Sequence, residues 1–565
     1  MIATKIYRLL ADDEIARLEA QGCRCNDWAA VEVVAEGFTT RGISNVRFCG
    51  ELRLGADVCI EDVGRIISTD GGTFGIGVRA AVLNENSGRK VFLHERLTAQ
   101  TAYIMCMYRH RPRAIETLER MAVEGAVHQK MTIGDGVRVT GCGTLRDVQI
   151  GEGAVLDGVA ELANGTVGCG ARVGVSVVAR DFIFASGASV CDGAQLTRCF
   201  VGDGARIESA FTAVDSLFFA NSHCANGEAA SVFAGPYTVS HHRSTLLIAG
   251  YFLFFNAGSN SNQSNHHFRT GPVHQGIHER GVKFGSGAYI MLPAREGAFS
   301  VVVGSHRSHH DTADFPYSYL IEEEGDSYLV PGANLISHGM MRDMAKWPQR
   351  DRRSTDREGG DIINFREWTP CIGQKLRRAI ARSEKMLARE DVQMFNYERV
   401  RIRRSMLRRG LGLYRQALDA VIAAALAESS GDALAESDPE WADLAGMFAP
   451  RCEIERLLDE IEKGELANFE AVIARLHLFD SEYAVNARAW ALAVLAGKLG
   501  RRPTADDIAH AIEAGHAARA AIDAARTSNA RQDADPMMAV GYGIDAASPA
   551  ERSADFLAVR GVEIL

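Results

Sequence analysis

Histidine is concentrated in one part of this sequence. Ten of the seventeen His residues fall between residues 223 and 310. A neutral imidazole can ligate zinc, and it can also act as a general base near neutral pH. A catalytic zinc site needs three convergent ligands and an open position, whereas acyl transfer needs one His base and a donor for the oxyanion. The ten residues are His223, His241, His242, His266, His267, His274, His278, His306, His309 and His310.

The spacing of these residues indicates which side chains share an edge. His223 and His241 lie eighteen residues apart, about one turn of the repeat described below. We therefore expect their side chains to stack, with backbones roughly 4.8 Å apart. We predict His241, His266 and His274 as catalytic residues, with Glu228 as an acid or base partner. The alternative is a metal site formed by His223, His241 and His266.

A structural role is the competing interpretation of the cluster. His beside Ser and Asn on a polar edge can form a hydrogen-bonded ladder without any chemistry. Adjacent residues such as His309 and His310 point to opposite faces if they lie on a strand. At most one residue of each such pair can then reach a given site.

A polar loop accompanies the His cluster. Residues 256–267 read Asn-Ala-Gly-Ser-Asn-Ser-Asn-Gln-Ser-Asn-His-His and follow an apolar stretch at 251–255. Amide and hydroxyl groups at this density suit a hydroxyl-rich ligand such as a sugar, although a flexible linker is the alternative. Glu279 is a further acid or base candidate, and Arg280 could hold a phosphate or carboxylate. The residues predicted to bind substrate are Asn256, Asn260, Asn262, Gln263, Asn265, Arg269, Gln275 and Lys283.

A short repeat must position these side chains. A tetrad of an apolar residue, a small residue, any residue and Gly recurs every seventeen positions, beginning at Ile133, Ile150, Val167, Phe184 and Val201. Apolar residues also recur at roughly six-residue intervals within a coil. Three hexads make one triangular turn, so the pattern predicts a mainly β fold, the left-handed parallel β-helix. A Rossmann Gly-rich turn would need a long helical segment between the tetrads, and none occurs.

The remaining sequence divides around this β-helix. Residues 74–78, Phe-Gly-Ile-Gly-Val, also match the tetrad and are assigned to a coil. The C-terminal half has helical periodicity, and its helices are expected to cap the open end of the solenoid. The predicted parts are an N-terminal segment at 1–45, the β-helix at 46–340 with a helical hairpin inserted at 95–124, a charged connector at 341–370, an α-helical domain at 371–531 and a tail at 532–565.

Composition argues against several classes of function. The formal charge of −10 does not favour nucleic-acid binding, and the basic segment at 399–404 is offset by nearby acids. No apolar run reaches 18 residues, so no membrane-spanning helix and no membrane partner are predicted. The N-terminus lacks the apolar core of a signal peptide. The twelve Cys residues are scattered, so we expect them to be reduced in the cytoplasm.

Four stretches resemble an uncharacterised bacterial family of hexapeptide-repeat proteins. They are residues 46–48, 108–112, 250–267 and 271–276. The resemblance extends to about residue 370 and implies the β-helix, but it brings no activity. The wider superfamily implies a homotrimer, and most of its members are acyltransferases that use acyl-CoA or acyl carrier protein. Other members resemble γ-class carbonic anhydrases with zinc at a subunit interface, or form the tails of sugar nucleotidyltransferases.

Three functional hypotheses follow from these observations. The first is an acyltransferase that acts on a polar, sugar-like acceptor at a subunit crevice with a His base. The second is a His-ligated metalloenzyme, a lyase or hydrolase, that binds a divalent metal such as zinc. The third is a non-enzymatic trimeric scaffold whose helical domain binds partners. Acyl transfer ranks first only because it is common in the superfamily, and fold alone does not determine function.

Overall fold

A parallel β-solenoid followed by a helical region forms the molecule. A computed structural model describes residues 5–86, 90–124, 130–264, 271–354, 360–430 and 439–560. Neighbouring coils pair in parallel along the whole solenoid, and antiparallel strands close both of its ends. The predicted fold class, a β-helix with an inserted helical hairpin and a C-terminal helical domain, is confirmed.

Each coil adds strands to three faces, which the chain visits in the order first, second, third. The first face contains Val31–Val34, Leu52–Leu54, Met131–Ile133, the second halves of Thr144–Ile150, Glu161–Val167, Val178–Phe184 and Gln195–Val201, then Leu217–Phe218, Phe233–Ala234, Gly250–Phe252, Gly276–His278 and Ala294–Glu296. The second face contains the first halves of Ile43–Cys49 and Cys59–Ile67, then Arg138–Thr140, Val155–Asp157, Arg172–Val173, Ser189–Val190, Arg206–Glu208, His223–Ala225, Val239–Ser240, Asn256–Ala257, Lys283–Phe284, Val301–Val303 and Tyr319–Glu323. The third face contains Arg24–Cys25, the remaining halves of the six long strands, then Thr212–Val214, Glu228–Ala230, Leu246–Ile248, Asn262–Ser264, Tyr289–Met291 and Ser305–His306.

The edge between the third and first faces is formed by residues in the left-handed backbone conformation. Asp147, Asn164, Asp181, Arg198 and Asp215 follow one another at seventeen-residue intervals, and each has φ between 50° and 55°. Asn and Asp tolerate this conformation better than other residues with a Cβ. Arg198 is the exception, and its guanidinium donates two hydrogen bonds to Asp215 on the next coil, at 2.8 and 2.6 Å.

The insertion begins along this edge. Thr69 N donates to Asp147 Oδ1 at 2.6 Å, and the Thr73 and Gly75 amides donate to Asn164 Oδ1 at 3.2 Å. The tetrad-like residues 74–78 therefore lie in this outer segment, and assigning them to a coil was wrong. These residues form turns at the surface, and the turns contain Gly at the same spacing as the coils do.

The excursion from the solenoid is longer than residues 95–124. Cys59–Ile67 pairs directly with Arg138–Thr140 and with Thr144–Ile150, so the chain is outside the coils between residues 68 and 130. The inserted elements are the antiparallel strands Arg79–Ala80 and Val91–Phe92, followed by helices α2 (Ala99–Met107) and α3 (Pro112–Glu124). Helix α1 (Asp12–Ala20) precedes the solenoid.

Both ends of the solenoid are covered. At the N-terminal end, Tyr7–Leu9 pairs antiparallel with Val31–Val34, and Leu18 of α1 is buried in the core. Parallel pairing begins at Arg24, so the solenoid starts earlier than residue 46, the predicted boundary. At the other end, Tyr319–Glu323 and Asp326–Val330 form an antiparallel pair that Met394–Tyr397 and Val400–Arg403 extend.

The C-terminal helices pack on the end and one side of the solenoid. Tyr414, in the long helix Arg404–Ala427, donates its hydroxyl to Pro316 O at 2.8 Å beside the last coils. A hairpin, Trp441–Leu444 with Met447–Pro450, precedes the helix Arg451–Lys463. The helices are α4 (His338–Gln349), α5 (Pro370–Leu387), α6 (Arg404–Ala427), α7 (Arg451–Lys463), α8 (Phe469–Ser481), α9 (Tyr483–Leu499), α10 (Ala505–Ala530) and α11 (Pro549–Arg560), with 3₁₀ turns at Trp28–Ala30, Ala333–Ile336, Arg531–Ala534 and Pro536–Ala539.

The outer surface of the first face carries an apolar row. Paired residues on successive coils form it, and they pack into an apolar cluster shared with α2, α3, α7 and α8. Each buried large side chain contributes roughly 1.5–3 kcal/mol to this docking. The row ends at Ile277, because the residue paired with it on the next coil is Arg295. Its members are Ile183, Phe200, Leu217, Phe233, Tyr251 and Ile277.

Polar side chains fix the orientation of the insertion against the helical region. Gln100 of α2 is fully buried. Its side-chain amide donates to Ile362 O at 2.9 Å and accepts from Ile362 N at 3.1 Å. Arg111, just before α3, donates to three carboxylates of α7 at 2.9, 2.5 and 2.9 Å. The insertion and the C-terminal helices therefore form one helical body on the first face, which we call the lateral helical body.

Candidate functional site

The structure places three of the predicted His residues on the second face. His223 donates from Nε2 to Glu208 Oε1 at 2.8 Å, and the His223 and His241 rings lie 5.9 Å apart. His242 lies beside His241, with ring centroids 4.3 Å apart. Burial and the neighbouring charges of His242, His223 and Arg350 lower the pKa of His241. His241 is therefore neutral at physiological pH.

Of the other predicted residues that the structure describes, Asn256 and Lys283 lie in the same row of the second face as His223, whereas Glu228 and Asn262 lie on the third face. Glu228 is exposed on the third face, Asn256 and Asn260 are exposed, and Asn262 and His274 are half-buried. Lys283 pairs with Asp343 of α4, and burial together with Arg342 and Lys346 lowers the pKa of Lys283 to about 8. Asn265, His266 and Arg269 lie outside the described residues.

Metal coordination was one of the two uses predicted for the His cluster. Within the ranges that the structure describes, no three or more His, Cys, Asp or Glu side chains are grouped so that they could hold a metal ion. The predicted ligand His266 is outside those ranges. The zinc hypothesis stays a prediction.

Two further His residues form a buried network inside the solenoid. His278 and Glu296 are fully buried, and His278 Nδ1 lies 2.5 Å from Glu296 Oε2. His310 Nε2 lies 2.8 Å from the other oxygen of the same carboxylate. Gln263, predicted to bind substrate, uses its oxygen to accept from Ile248 N at 3.0 Å and lies 3.0 Å from His278 Nε2 through its nitrogen.

The partners of this network determine its protonation. Because Gln263 presents an N–H to His278 Nε2, His278 is neutral and donates from Nδ1 to Glu296. His310 faces acceptors at both nitrogens, the Glu296 carboxylate and, at 3.1 Å, the Ser308 carbonyl. His310 therefore donates to Glu296 through Nε2. Burial would raise the pKa of Glu296, but His278 and His310 hold it below its usual value.

A cavity of about 600 Å³ lies where the first face meets the lateral helical body. We call it the junction cavity. Its walls come from α2, from the first face at the end of the apolar row, from α5 and from the hairpin before α7. The lining residues include Tyr103, Met107, Tyr251, Leu253, Gln275, Ile277, Glu279, Arg280, Arg295, Asp314, Cys371, Gln374, Lys375, Arg378, Glu440, Trp441, Asp443, Phe448 and Arg451.

Helix α5 supplies one wall of the junction cavity. Thr369 caps its N-terminus by accepting from Ile372 N at 3.3 Å, and Pro370 occupies the first helical position. This start places Cys371, Lys375 and Arg378 on one side of the helix, at spacings of four and three residues. All three residues line the cavity.

Glu279 is held as a carboxylate at the centre of the cavity wall. Its Oε1 accepts from Lys375 Nζ at 2.8 Å and from two nitrogens of Arg295 at 3.1 and 2.7 Å. Its Oε2 accepts from Ala298 N at 3.1 Å. Burial would raise the pKa of Glu279, but Lys375 and Arg295 outweigh it and lower the pKa.

Arg280 joins the solenoid to the hairpin. Its side chain donates two bonds to Asp443, at 2.5 and 3.1 Å, and two more to the Asn364 and Gly446 carbonyls, at 2.8 and 3.1 Å. The guanidinium also lies 4.4 Å from the ring centre of Phe254 and 4.4 Å from that of Phe448. Its donors are committed, so Arg280 is a structural clamp.

The donors that line the cavity are less fully used than its acids. Asp314 accepts from Arg378 and Arg382 at 2.8 and 2.7 Å, and Asp443 is bound by Arg280. By contrast, neither the Tyr251 hydroxyl nor the Trp441 indole nitrogen has a hydrogen-bond partner among the described residues, although both atoms are buried. Burial raises the pKa of Tyr251 well above its usual value, so its hydroxyl stays protonated.

Sequence reasoning found only part of this site. Gln275 and Glu279 were candidates, but Tyr251, Lys375 and Trp441 were not. The available signal was the row of outward apolar residues on the first face, because the outside of a solenoid is otherwise polar and such a row requires a cover. Which later helices form that cover is a non-local property that the repeat does not encode.

Two family models match the chain. The first, described as a domain of unknown function (DUF4954), matches residues 7–58 and 53–387. The chain belongs to the DUF4954 family. The second model, a domain of unknown function named DUF6819, matches residues 424–563. The DUF4954 part supplies the solenoid, the insertion, α4 and α5, so the predicted resemblance to a family without an established activity is confirmed.

The junction cavity combines both matched parts. Tyr251, Arg295 and Lys375 come from the DUF4954 part, whereas Trp441 and Arg451 come from the DUF6819 part. None of the curated proteins matches this DUF4954 chain. In the portion of the chain that the structure describes, no helix is long and apolar enough to cross a membrane.

Proposed function

We propose that this chain binds a small polar ligand in the junction cavity. The observation that carries the proposal is the pair of buried, unpartnered donors, Tyr251 and Trp441, in a cavity whose acids already have partners. A buried donor without a partner costs roughly 1–3 kcal/mol, which a ligand acceptor would recover. A cavity of about 600 Å³ has room for a molecule the size of a sugar derivative.

Recognition is better supported in this cavity than proton transfer. The pKa of Glu279 is lowered by Lys375 and Arg295, and burial raises the pKa of Cys371 to about 12. Tyr251 is likewise held protonated. None of these three groups titrates near neutral pH, where a general acid or base works best.

Thermal-shift and calorimetric titrations with glucose and glucose 1-phosphate test this proposal. Tyr251→Phe removes one donor and keeps the phenyl ring, and Trp441→Phe removes the other donor and keeps an aromatic side chain, so we expect about tenfold weaker binding of whichever probe binds. Tyr237→Phe is the matched control, because Tyr237 is buried in the same apolar layer but does not line the cavity. Equal binding by all variants, or no binding of either probe, would contradict the proposal.

Acyl transfer at the second face is a second candidate, favoured by the His223–Glu208 contact. A carboxylate that accepts from Nε2 leaves Nδ1 free to act as a base. Acyl-CoA or acyl carrier protein would supply the acyl group, and the charge of Arg350 beside His241 suits a phosphate. Zinc bound by His223, His241 and His266 is the alternative use of this edge, and metal analysis of the purified protein distinguishes the two.

The release of CoA thiol from acetyl-CoA, with glucosamine as acceptor, measures this activity. We expect His223→Gln to slow transfer at least about a hundredfold. His516→Gln, an exposed His on α10, is the control and should leave the rate unchanged. A rate that is the same in both variants would argue against a base at this edge.

Three more detailed predictions from the sequence also remain proposals. The seventeen-residue repeat supports a hexapeptide-repeat, left-handed β-helix. A homotrimer is the superfamily's habit, and light scattering of the full chain measures it. All twelve Cys residues lie within the described ranges and are unpaired, which supports a reducing compartment such as the cytoplasm.

A further inference from the structure

We infer that the ligand of the junction cavity carries a phosphate group, which Arg295 and Arg451 bind. This inference rests on the proposed function and assigns a chemical class to its ligand. The two arginines approach from different parts of the chain. Arg295 lies on the first face of the solenoid, and Arg451 is the first residue of α7.

The charges around the cavity favour an anion. Five cationic and four acidic side chains line it. Three of the acids, Glu279, Asp314 and Asp443, accept from cationic side chains at distances of 3.1 Å or less. Asp314 also accepts from Arg382, which is not part of the lining. The lining acids are thus compensated, and the positive charge that remains is available to a ligand.

Arg295 is oriented for such a ligand. Its Nε and Nη2 both donate to Glu279, which fixes the plane of the guanidinium. Its Nη1 makes no hydrogen bond to any residue described in the structure, and 44% of the side chain is exposed. A guanidinium held on one edge and open on the other is preorganised to donate to phosphate oxygens.

Arg451 supplies a second, more loosely held cation. Its one ion pair within the described part of the chain is to Glu440 at 3.5 Å, and 57% of its side chain is exposed. Helix α7 starts at this residue without a side-chain cap, so the positive end of its dipole lies beside the same guanidinium. Because Arg451 leaves no buried acid uncompensated, it can be replaced without disturbing the wall of the cavity.

Phosphate fits this donor set better than carboxylate. A phosphate monoester presents three oxygens, so it can accept from both guanidinium groups and still bond a neutral donor such as the Trp441 indole. A carboxylate presents two oxygens and a single charge, so it offers the two arginines fewer acceptor sites and a weaker attraction. The remaining volume then accommodates the organic part of the ligand against Tyr103 and Tyr251.

The experiment is calorimetric titration of the full chain with glucose 1-phosphate, glucose and inorganic phosphate. We expect glucose 1-phosphate to bind more tightly than glucose, and its affinity to fall about tenfold or more in Arg451→Gln and Arg295→Gln. Arg456→Gln is the matched control, because Arg456 lies on the same helix with the same 57% exposure, pairs with Glu453 and does not line the cavity. Unliganded melting temperatures report whether each variant is folded.

The remaining outcomes separate this inference from the proposed function. Glucose binding that depends on Tyr251 but not on Arg295 or Arg451 would overturn the phosphate assignment and leave the cavity as a ligand site. Inorganic phosphate that binds as tightly as glucose 1-phosphate would reassign the ligand to the free ion, which still supports the anion site. The absence of cavity-dependent binding by any of the three probes at millimolar concentration would overturn both.

Discussion

At the scale of single residues, the solenoid core contains a buried carboxylate where apolar packing is the rule. Glu296 accepts from His278 and from His310, and all three side chains are buried. Removing one member of a buried, hydrogen-bonded network leaves the other members without a partner. His306, nearby, is kept neutral because burial and the neighbouring His310 lower its pKa to about 4.

We expect Glu296→Gln to reduce the free energy of unfolding by about 1–3 kcal/mol, because His278 and His310 lose a buried carboxylate acceptor and the Gln side chain offers them one oxygen in place of two. Chemical denaturation at pH 7 measures the loss. Glu228→Gln changes an exposed carboxylate on the third face, and it should shift stability by less than about 0.5 kcal/mol. Equal effects of the two substitutions would contradict the buried network.

The Glu296 carboxylate also makes the stability of the fold depend on pH. Although burial would raise it, the folded-state pKa of Glu296 is below its usual value. Its contribution is therefore present above the unfolded pKa of about 4.3 and is lost as the pH falls through the folded pKa. Wild-type stability should decline below about pH 4.5 more steeply than that of Glu296→Gln.

The His cluster shows how far single-residue prediction reaches. The sequence concentrates His in the later coils, and two of these residues do form a charged network. Period-two alternation puts His278 inside the solenoid and Ile277 outside it, but the sequence alone does not say which face is the inner one. Gln263 was assigned to substrate for the same reason, because an inward Gln and an outward Gln look identical in a polar loop.

At the scale of elements, two glycines, one in a strand and one in a helix, show where packing requires a residue without a side chain and where it does not. A Cβ at Gly276 would lie 2.7 Å from His278 Nε2 and 2.8 Å from Leu292 Cδ2. The absence of a side chain there makes room for the imidazole of the next residue but one. Gly412, inside α6, has no neighbour within 4 Å of its would-be Cβ.

We expect Gly276→Ala to lower the free energy of unfolding by about 1–3 kcal/mol, because the added methyl displaces His278 or Leu292 from a packed core. Gly412→Ala should instead raise it by about 0.5–1 kcal/mol, since Ala restricts the unfolded chain and no contact is strained. Urea denaturation of the two variants distinguishes these opposite signs, and a stabilising Gly276→Ala would contradict the described packing.

At the scale of the whole molecule, Arg280 connects the solenoid to the lateral helical body. It is 3% exposed, with its donors committed to Asp443 and to two carbonyls. The seventeen-residue period predicted the coils because each coil contacts its neighbours alone. The docking of residues 441–463 on residues 251–295 is non-local, and no periodicity in the sequence encodes it.

We expect Arg280→Gln to loosen this docking at a cost of about 3 kcal/mol, because the half-buried Asp443 loses its charged partner and two carbonyls lose a buried donor. Hydrogen exchange in Trp441–Leu444 and Met447–Pro450 should accelerate more than exchange in Val155–Asp157, which lies far along the solenoid. Adding Asp443→Asn to Arg280→Gln should recover part of the loss. Uniform acceleration across both regions would instead indicate global destabilisation.

The apolar row on the first face also determines when the molecule can be completed during synthesis. Its six members are all made by residue 277, and α2 and α3 precede them, but α7 and α8, which complete the cover, end only at residue 481. Coils can stack as they leave the ribosome, since each needs only its predecessor. The row therefore stays incompletely covered until some two hundred further residues have been translated. Slow elongation over residues 278–481 would therefore lengthen the period in which this chain is most prone to aggregate.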